Sequence, residues 1–76
     1  MAQGYSTSFI KEVNSSDRTK LGVQLGLACI KRDIPVSDVS EFFTVSRMTV
    51  YSWFRGKHVV PEKHAEKMKK LVDKLG

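Results

Sequence analysis

Residues 45–56, Val-Ser-Arg-Met-Thr-Val-Tyr-Ser-Trp-Phe-Arg-Gly, constrain the fold more than any other stretch of the chain. Both ends of a short helix are readable in them. Ser46 suits the N-cap, where a side-chain oxygen accepts from an orphaned amide. Gly56 suits the position just past the end, where a left-handed backbone costs glycine little. Val50 and Trp53 lie three apart and project one way, towards a core. Arg47, Met48, Tyr51, Ser52 and Arg55 fall on the other side. The stretch predicts a helix over 47–55, buried along one stripe, with a basic, hydrogen-bonding outer face free of acids.

The remaining elements follow from the same signals. Residues 1–15 read as a flexible N-terminal segment, with a short helix over 8–14 suggested by Phe9, Ile10 and Val13. A longer helix is expected over 17–32, capped by Ser15 or Ser16, with Asp17 in its first turn and Lys31 and Arg32 in its last. Pro35 ends it, because the residue before proline, Ile34, is pushed out of the α region. A short helix over 36–43 points Val39 and Phe43 inward, and Thr44-Val45 is the turn. Residues 56–60 form a loop. Pro61 then opens a last helix with Ala65, Met68, Val72 and Leu75 on one face and Lys63, Lys67, Lys70 and Lys74 opposite. Glu66 and Lys70 are spaced for an i,i+4 pair.

The 17–32 helix carries two apolar stripes, Leu21, Leu25, Ala28 and Val23, Leu27, Ile30, with Gly22 and Gly26 between them. Each interior glycine costs a helix about 1 kcal/mol relative to alanine, which implies a compensating close approach of another backbone. The second stripe requires a cover, either the Phe9–Val13 segment or a second subunit. The expected fold class is all-α, a small four- to five-helix bundle, with one domain over 16–76.

Length and charge narrow the function. Seventy-six residues allow one core, and 41% hydrophobic residues suffice to fill it. Thirteen Lys and Arg against eight Asp and Glu give +5, which favours a polyanionic partner, nucleic acid or an anionic membrane. No acid stands between Glu41 and Glu62, while Arg47, Arg55, Lys57 and His58 do. The single cysteine, Cys29, excludes an intrachain disulfide and suits a reducing compartment as a buried thiol. The apolar run Leu25–Ile30 is too short to span a bilayer, and no signal-peptide pattern opens the chain. An intracellular, cytoplasmic protein is expected. His58 and His64 lack metal-ligand spacing, and neither a nucleophile motif nor a phosphate-cradling glycine loop occurs. Neither an enzyme, a cofactor nor a small-molecule substrate is expected.

An acid-free face of Arg, Met, Tyr and Ser suits base-pair edges and the phosphates around them. The run Val45-Ser46-Arg47-x-Thr49-Val50-x-x-Trp53-x-x-Gly56, preceded by Ile34, Val39 and Phe43, resembles the phage-repressor and Cro-like helix-turn-helix family. The motif covers about 36–56. The resemblance implies a lambda-repressor-like fold and a homodimeric repressor that binds double-stranded DNA in a bacterial or phage-infected cell. Its second motif helix would lie in the major groove. Carried over residue by residue, it implies base readout by Ser46, Arg47, Met48, Tyr51 and Ser52. Ser37, Thr49, Arg55 and Lys57 would contact phosphates.

Departures from the family pattern set further expectations. Thr44 stands where glycine is usual, and its β-branch resists positive φ, so the turn is expected to differ. Ser40 replaces a small alanine at the helix crossing. Val36 replaces a glutamine that clamps phosphate. Phe54 and Phe42 add apolar surface, destined for the chain's own core or for a dimer interface. Tyr51 could instead pack on a neighbouring helix, and the lysine stripe could be a solubilising face or a diffuse attractor of phosphates. The alternative function is a protein-interaction module without sequence-specific DNA binding. A membrane-surface role for the last helix is not expected, because its apolar face lacks aromatics and is needed for the core.

Overall fold

The first helix is nucleated by a cap. In the computed structural model, which describes residues 5–76, the Ser6 hydroxyl accepts the Phe9 amide at 3.2 Å and opens α1, Thr7–Asn14. Four more helices follow: α2 Leu21–Arg32, α3 Val36–Phe43, α4 Arg47–Phe54 and α5 Glu62–Leu75. Among the described residues there is no strand, and the protein is an all-α bundle.

α2 begins at Leu21, not at residue 17 as expected. The reason is local competition. The Ser15 and Ser16 hydroxyls donate back to the carbonyls of Lys11 and Glu12, at 2.9 and 2.7 Å, so these serines close α1 and do not open α2. Asp17 Oδ1 then accepts both the amide and the hydroxyl of Thr19, at 2.9 and 2.6 Å. That side-chain turn holds residues 17–20 outside the helix. Pro61 is the residue before α5, one position earlier than expected.

α2, α3 and α4 end by one device. Asp33, Thr44 and Gly56 adopt left-handed φ values of 63°, 56° and 72°. The amide that follows each one reaches back to a carbonyl five residues earlier: Ile34 to Cys29, Val45 to Ser40, and Lys57 to Ser52, at 2.9, 3.0 and 3.0 Å. The expectation that Thr44 would alter the turn is therefore corrected. The β-branched residue accepts the left-handed conformation, which costs an L-residue about 1–2 kcal/mol, and the closing hydrogen bond and the buried Phe43 beside it hold it there.

α2 is the axis of the bundle and packs on α1, α4 and α5, while α3 packs on α4. Trp53, Phe54, Leu25, Met68, Val13, Val23, Val50 and Cys29 make up the innermost core. The two helical glycines face α4. A Cβ on Gly22 would stand 2.5 Å from the Trp53 carbonyl oxygen, and one on Gly26 would stand 2.8 Å from Phe54 Cγ. Of the second α2 stripe, Val23 is fully buried and Leu27 and Ile30 are partly covered within the one chain.

Within the segment read as 1–15, the short helix expected over 8–14 is α1, and residues 5–15 lie against the bundle through Tyr5, Phe9 and Val13. Tyr5 is buried, and its hydroxyl donates to the Ile34 carbonyl at 2.6 Å. Its ring stacks on Phe9 with centroids 5.8 Å apart. The expectation for residues 1–4 lies outside the described residues. At the far end, Arg32 Nε donates to the Leu75 carbonyl at 2.7 Å and ties α2 to the end of α5. Among the described residues no helix is long and apolar enough to cross a membrane.

Two predictions follow from this packing. Gly22→Ala gains about 1 kcal/mol of helix propensity but meets a backbone carbonyl that cannot rotate away. Overpacking of about 3 kcal/mol then leaves the variant about 2 kcal/mol less stable in urea unfolding. An unchanged or raised midpoint contradicts the close approach. Burial also pushes the Cys29 thiol up to about 12 and the Tyr5 phenol above its ordinary value of 10.0. The unfolded chain therefore loses these protons first as pH rises, so stability holds below pH 9 and declines above it. Cys29→Ala flattens the onset of that decline.

Candidate nucleic-acid interface

α4 is anchored to the core by its inner side. Val50 and Phe54 are fully buried and Trp53 nearly so. The Trp53 ring lies edge-on to Phe43 at 5.7 Å, and His64 of α5 packs against both aromatic rings. Phe54, an expected candidate for the core or a dimer interface, belongs to the core. Phe42 remains 46% exposed, with Lys67 Nζ 4.3 Å from its ring centroid and donating to its carbonyl at 3.0 Å.

The first turn of α4 is fixed by two of the predicted site residues acting on each other. Ser46 Oγ accepts the Thr49 amide at 3.2 Å and lies 3.0 Å from the Thr49 hydroxyl. From that turn Arg47 and Met48 stand out into solvent, and Met48 is 79% exposed. Ser52 is half-buried one turn on, and Lys57 is exposed beyond the helix end. Ser37 is half-buried in the first turn of α3, where its carbonyl accepts the Ser40 hydroxyl at 2.9 Å. Val36 is buried.

The outer face expected from the sequence is continuous, but the fold divides it. Met48, Thr49 and Ser52 share a shallow cleft of about 340 Å³ with His58, Val59 and Pro61 of the α4–α5 loop. His58 and Val59 were not among the predicted contact residues. The exposed Val59, 81% accessible, has no local sequence signal beyond its place in the loop. Ser46 borders a separate recess with Ser40, Glu41, Thr44 and Val45. Tyr51 and Arg55 face α1. The Tyr51 ring meets Phe9 edge-on at 5.1 Å, and the Arg55 guanidinium lies 5.4 Å from the Phe9 centroid. Tyr51 thus packs on a neighbouring helix, the alternative left open for it.

The acid-free character of the face also changes in three dimensions. Glu12 Oε1 of α1 comes within 3.5 Å of Arg55 Nε. The pair is close enough to attract but too long for an ordinary hydrogen bond, and Nε is left buried without a hydrogen-bond partner. It is the ion pair found among the described residues, and the expected Glu66–Lys70 pair is not formed. Glu12 stands at the C-terminal end of α4, and Glu41 shares the recess beside its cap with Ser46.

Ser46→Ala removes the α4 cap and is expected to lower stability by about 1 kcal/mol in urea unfolding. Hydrogen exchange should rise at the Met48 and Thr49 amides before the rest of α4. Unchanged exchange there would show that the first turn does not depend on the cap.

No protein-family model, curated protein or solved structure matches this chain.

Proposed function

We propose that the protein is a sequence-specific, duplex-DNA-binding regulator of the phage-repressor type, working in the cytoplasm as a homodimer on an operator. The observation that carries this reading is the contrast across α4. Its inner side is locked by Val50, Trp53 and Phe54, while Arg47 and Met48 project from a capped first turn with no acid on the helix. A rigid helix with a cationic, solvent-facing N-terminal turn is the form in which side chains can enter a major groove in fixed register.

The roles follow from chemistry. Arg47 presents a planar fork of donors that matches the two acceptors of guanine, and Met48 supplies an apolar contact for a thymine methyl. Ser52 can donate or accept at either base. Lys57 and the first turn of α3 at Ser37 face the phosphates, which supply affinity and fix register without reading sequence. Two copies would present their α4 helices about 34 Å apart on one side of the duplex. Such a protein regulates by occupancy and needs neither a catalytic group nor a cofactor.

A second reading draws on Phe42, which stands half-exposed beside an apolar groove lined by Ile34, Val39, Leu71 and Leu75. On that reading the chain is a protein-interaction module. Duplex binding separates the two. Selection of bound duplexes from a random pool should return a two-fold symmetric site, and light scattering on that site should give two chains per duplex. Arg47→Ala should lose about 1–3 kcal/mol of discrimination at one base pair per half-site. Unchanged affinity and preference in Arg47→Ala would remove α4 from the reading role, and the absence of salt-dependent binding would favour the interaction module.

A further inference from the structure

The cleft between α1 and α4 lies apart from Arg47, Met48 and Ser52, and α1 lies outside residues 36–56. Ser6, Phe9, Tyr51 and Arg55 line it, around a volume of about 340 Å³. We propose that this cleft seats one phosphate of the DNA backbone, so that α1 forms a flank of the interface. The proposal rests on the reading of α4 as the DNA-reading helix.

The lining is built for an oxyanion. Arg55 carries a planar set of donors suited to phosphate, and it is placed by two contacts with α1: its guanidinium over the Phe9 ring and its Nε near Glu12. Neither contact consumes its hydrogen bonds. The aromatic face takes none, and the Glu12 carboxylate at 3.5 Å makes an ion pair without a hydrogen bond. Among the described residues no hydrogen bond engages the terminal amino groups, and the side chain keeps 37% of its surface exposed. An ion pair this exposed contributes little and is readily exchanged for a phosphate.

Two hydroxyls complete the seat. Ser6 Oγ accepts the Phe9 amide, which leaves its own proton free to donate. The Tyr51 ring is set edge-on against Phe9, and Tyr51 lines the same cleft. Three donor groups from two helices therefore line one cleft, with Phe9 as its apolar wall. In this arrangement Tyr51 positions the backbone and does not read a base, and Arg55 acts on every sequence alike.

Duplex titrations of the full chain over a range of salt test the proposal. Arg55→Gln should weaken random and selected duplexes by the same factor and make the slope of log Kobs against log salt shallower by about 0.9 per chain. Tyr51→Phe keeps the ring against Phe9 and removes only the hydroxyl. It should weaken both duplexes alike, about fivefold, consistent with one lost hydrogen bond. The Arg55 Nε–H resonance should move when duplex is added to the wild-type chain.

A changed base preference in Tyr51→Phe would overturn the seat. So would wild-type affinity and slope in both variants while the wild-type chain binds duplex. Inorganic phosphate is the second arm: shifts at Arg55 and at the Ser6–Phe9 amides with free phosphate but not with duplex would identify a free-phosphate site and overturn the DNA seat. A wild-type chain without salt-dependent duplex binding overturns the DNA reading itself, and the seat with it.

Discussion

The contact on which the rest of the structure depends is the approach of α2 to α4 at Gly22 and Gly26. There is no space for a methyl group between Gly22 and the Trp53 carbonyl, or between Gly26 and the Phe54 side chain. Two helices that meet backbone to backbone cannot slide or roll against each other as freely as helices separated by long side chains. The glycines cost helix propensity, and what they secure is the setting of α4. Trp53 and Phe54 sit on the α2 side of that seam, with Phe43 and His64 closing behind the indole. The outward turn of α4 inherits its direction from this arrangement.

α1 is the second brace. Tyr5 bonds to the carbonyl of Ile34, at the junction between α2 and α3, and Phe9 lies among Tyr5, Tyr51 and Phe54. A segment of a few residues thus reaches the end of one helix and the flank of another. In so small a bundle this aromatic cluster adds a sizeable share of the buried apolar surface, where each large side chain contributes about 1.5–3 kcal/mol.

Much of this was legible in the residues, and what was not has a physical pattern. Caps and periodicity are local, so Ser46, Gly56, Val39, Phe43, Val50 and Trp53 all read correctly. Gly22 and Gly26 were legible as an anomaly, because glycine inside a helix needs a reason. The start of α2 was misread because Ser15 and Ser16 can close one helix as well as open the next. Only the hydrogen bonds from their hydroxyls to Lys11 and Glu12 decide between the two. Thr44 was misread because intrinsic preference was weighed without the closing bond from Val45 to Ser40. The contacts of Tyr5, Phe9 and Glu12 join residues far apart along the chain and leave no local mark. For the same reason the packing of Tyr51 and Arg55 against α1, and the Glu12 carboxylate beside Arg55, could not be read from the sequence.

The one-sided anchoring of α4 has a consequence for how such a protein can diverge. The residues that hold the helix in place lie on its inner half and on the flank that meets α1, whereas Arg47 and Met48 stand exposed. Those positions can drift through many side chains without disturbing the bundle, and surface changes of that kind usually shift stability by under about 0.5 kcal/mol. What the helix touches and whether the chain folds are therefore nearly independent traits. Changes on the outward turn can accumulate by single steps, each from an ancestor that is already folded.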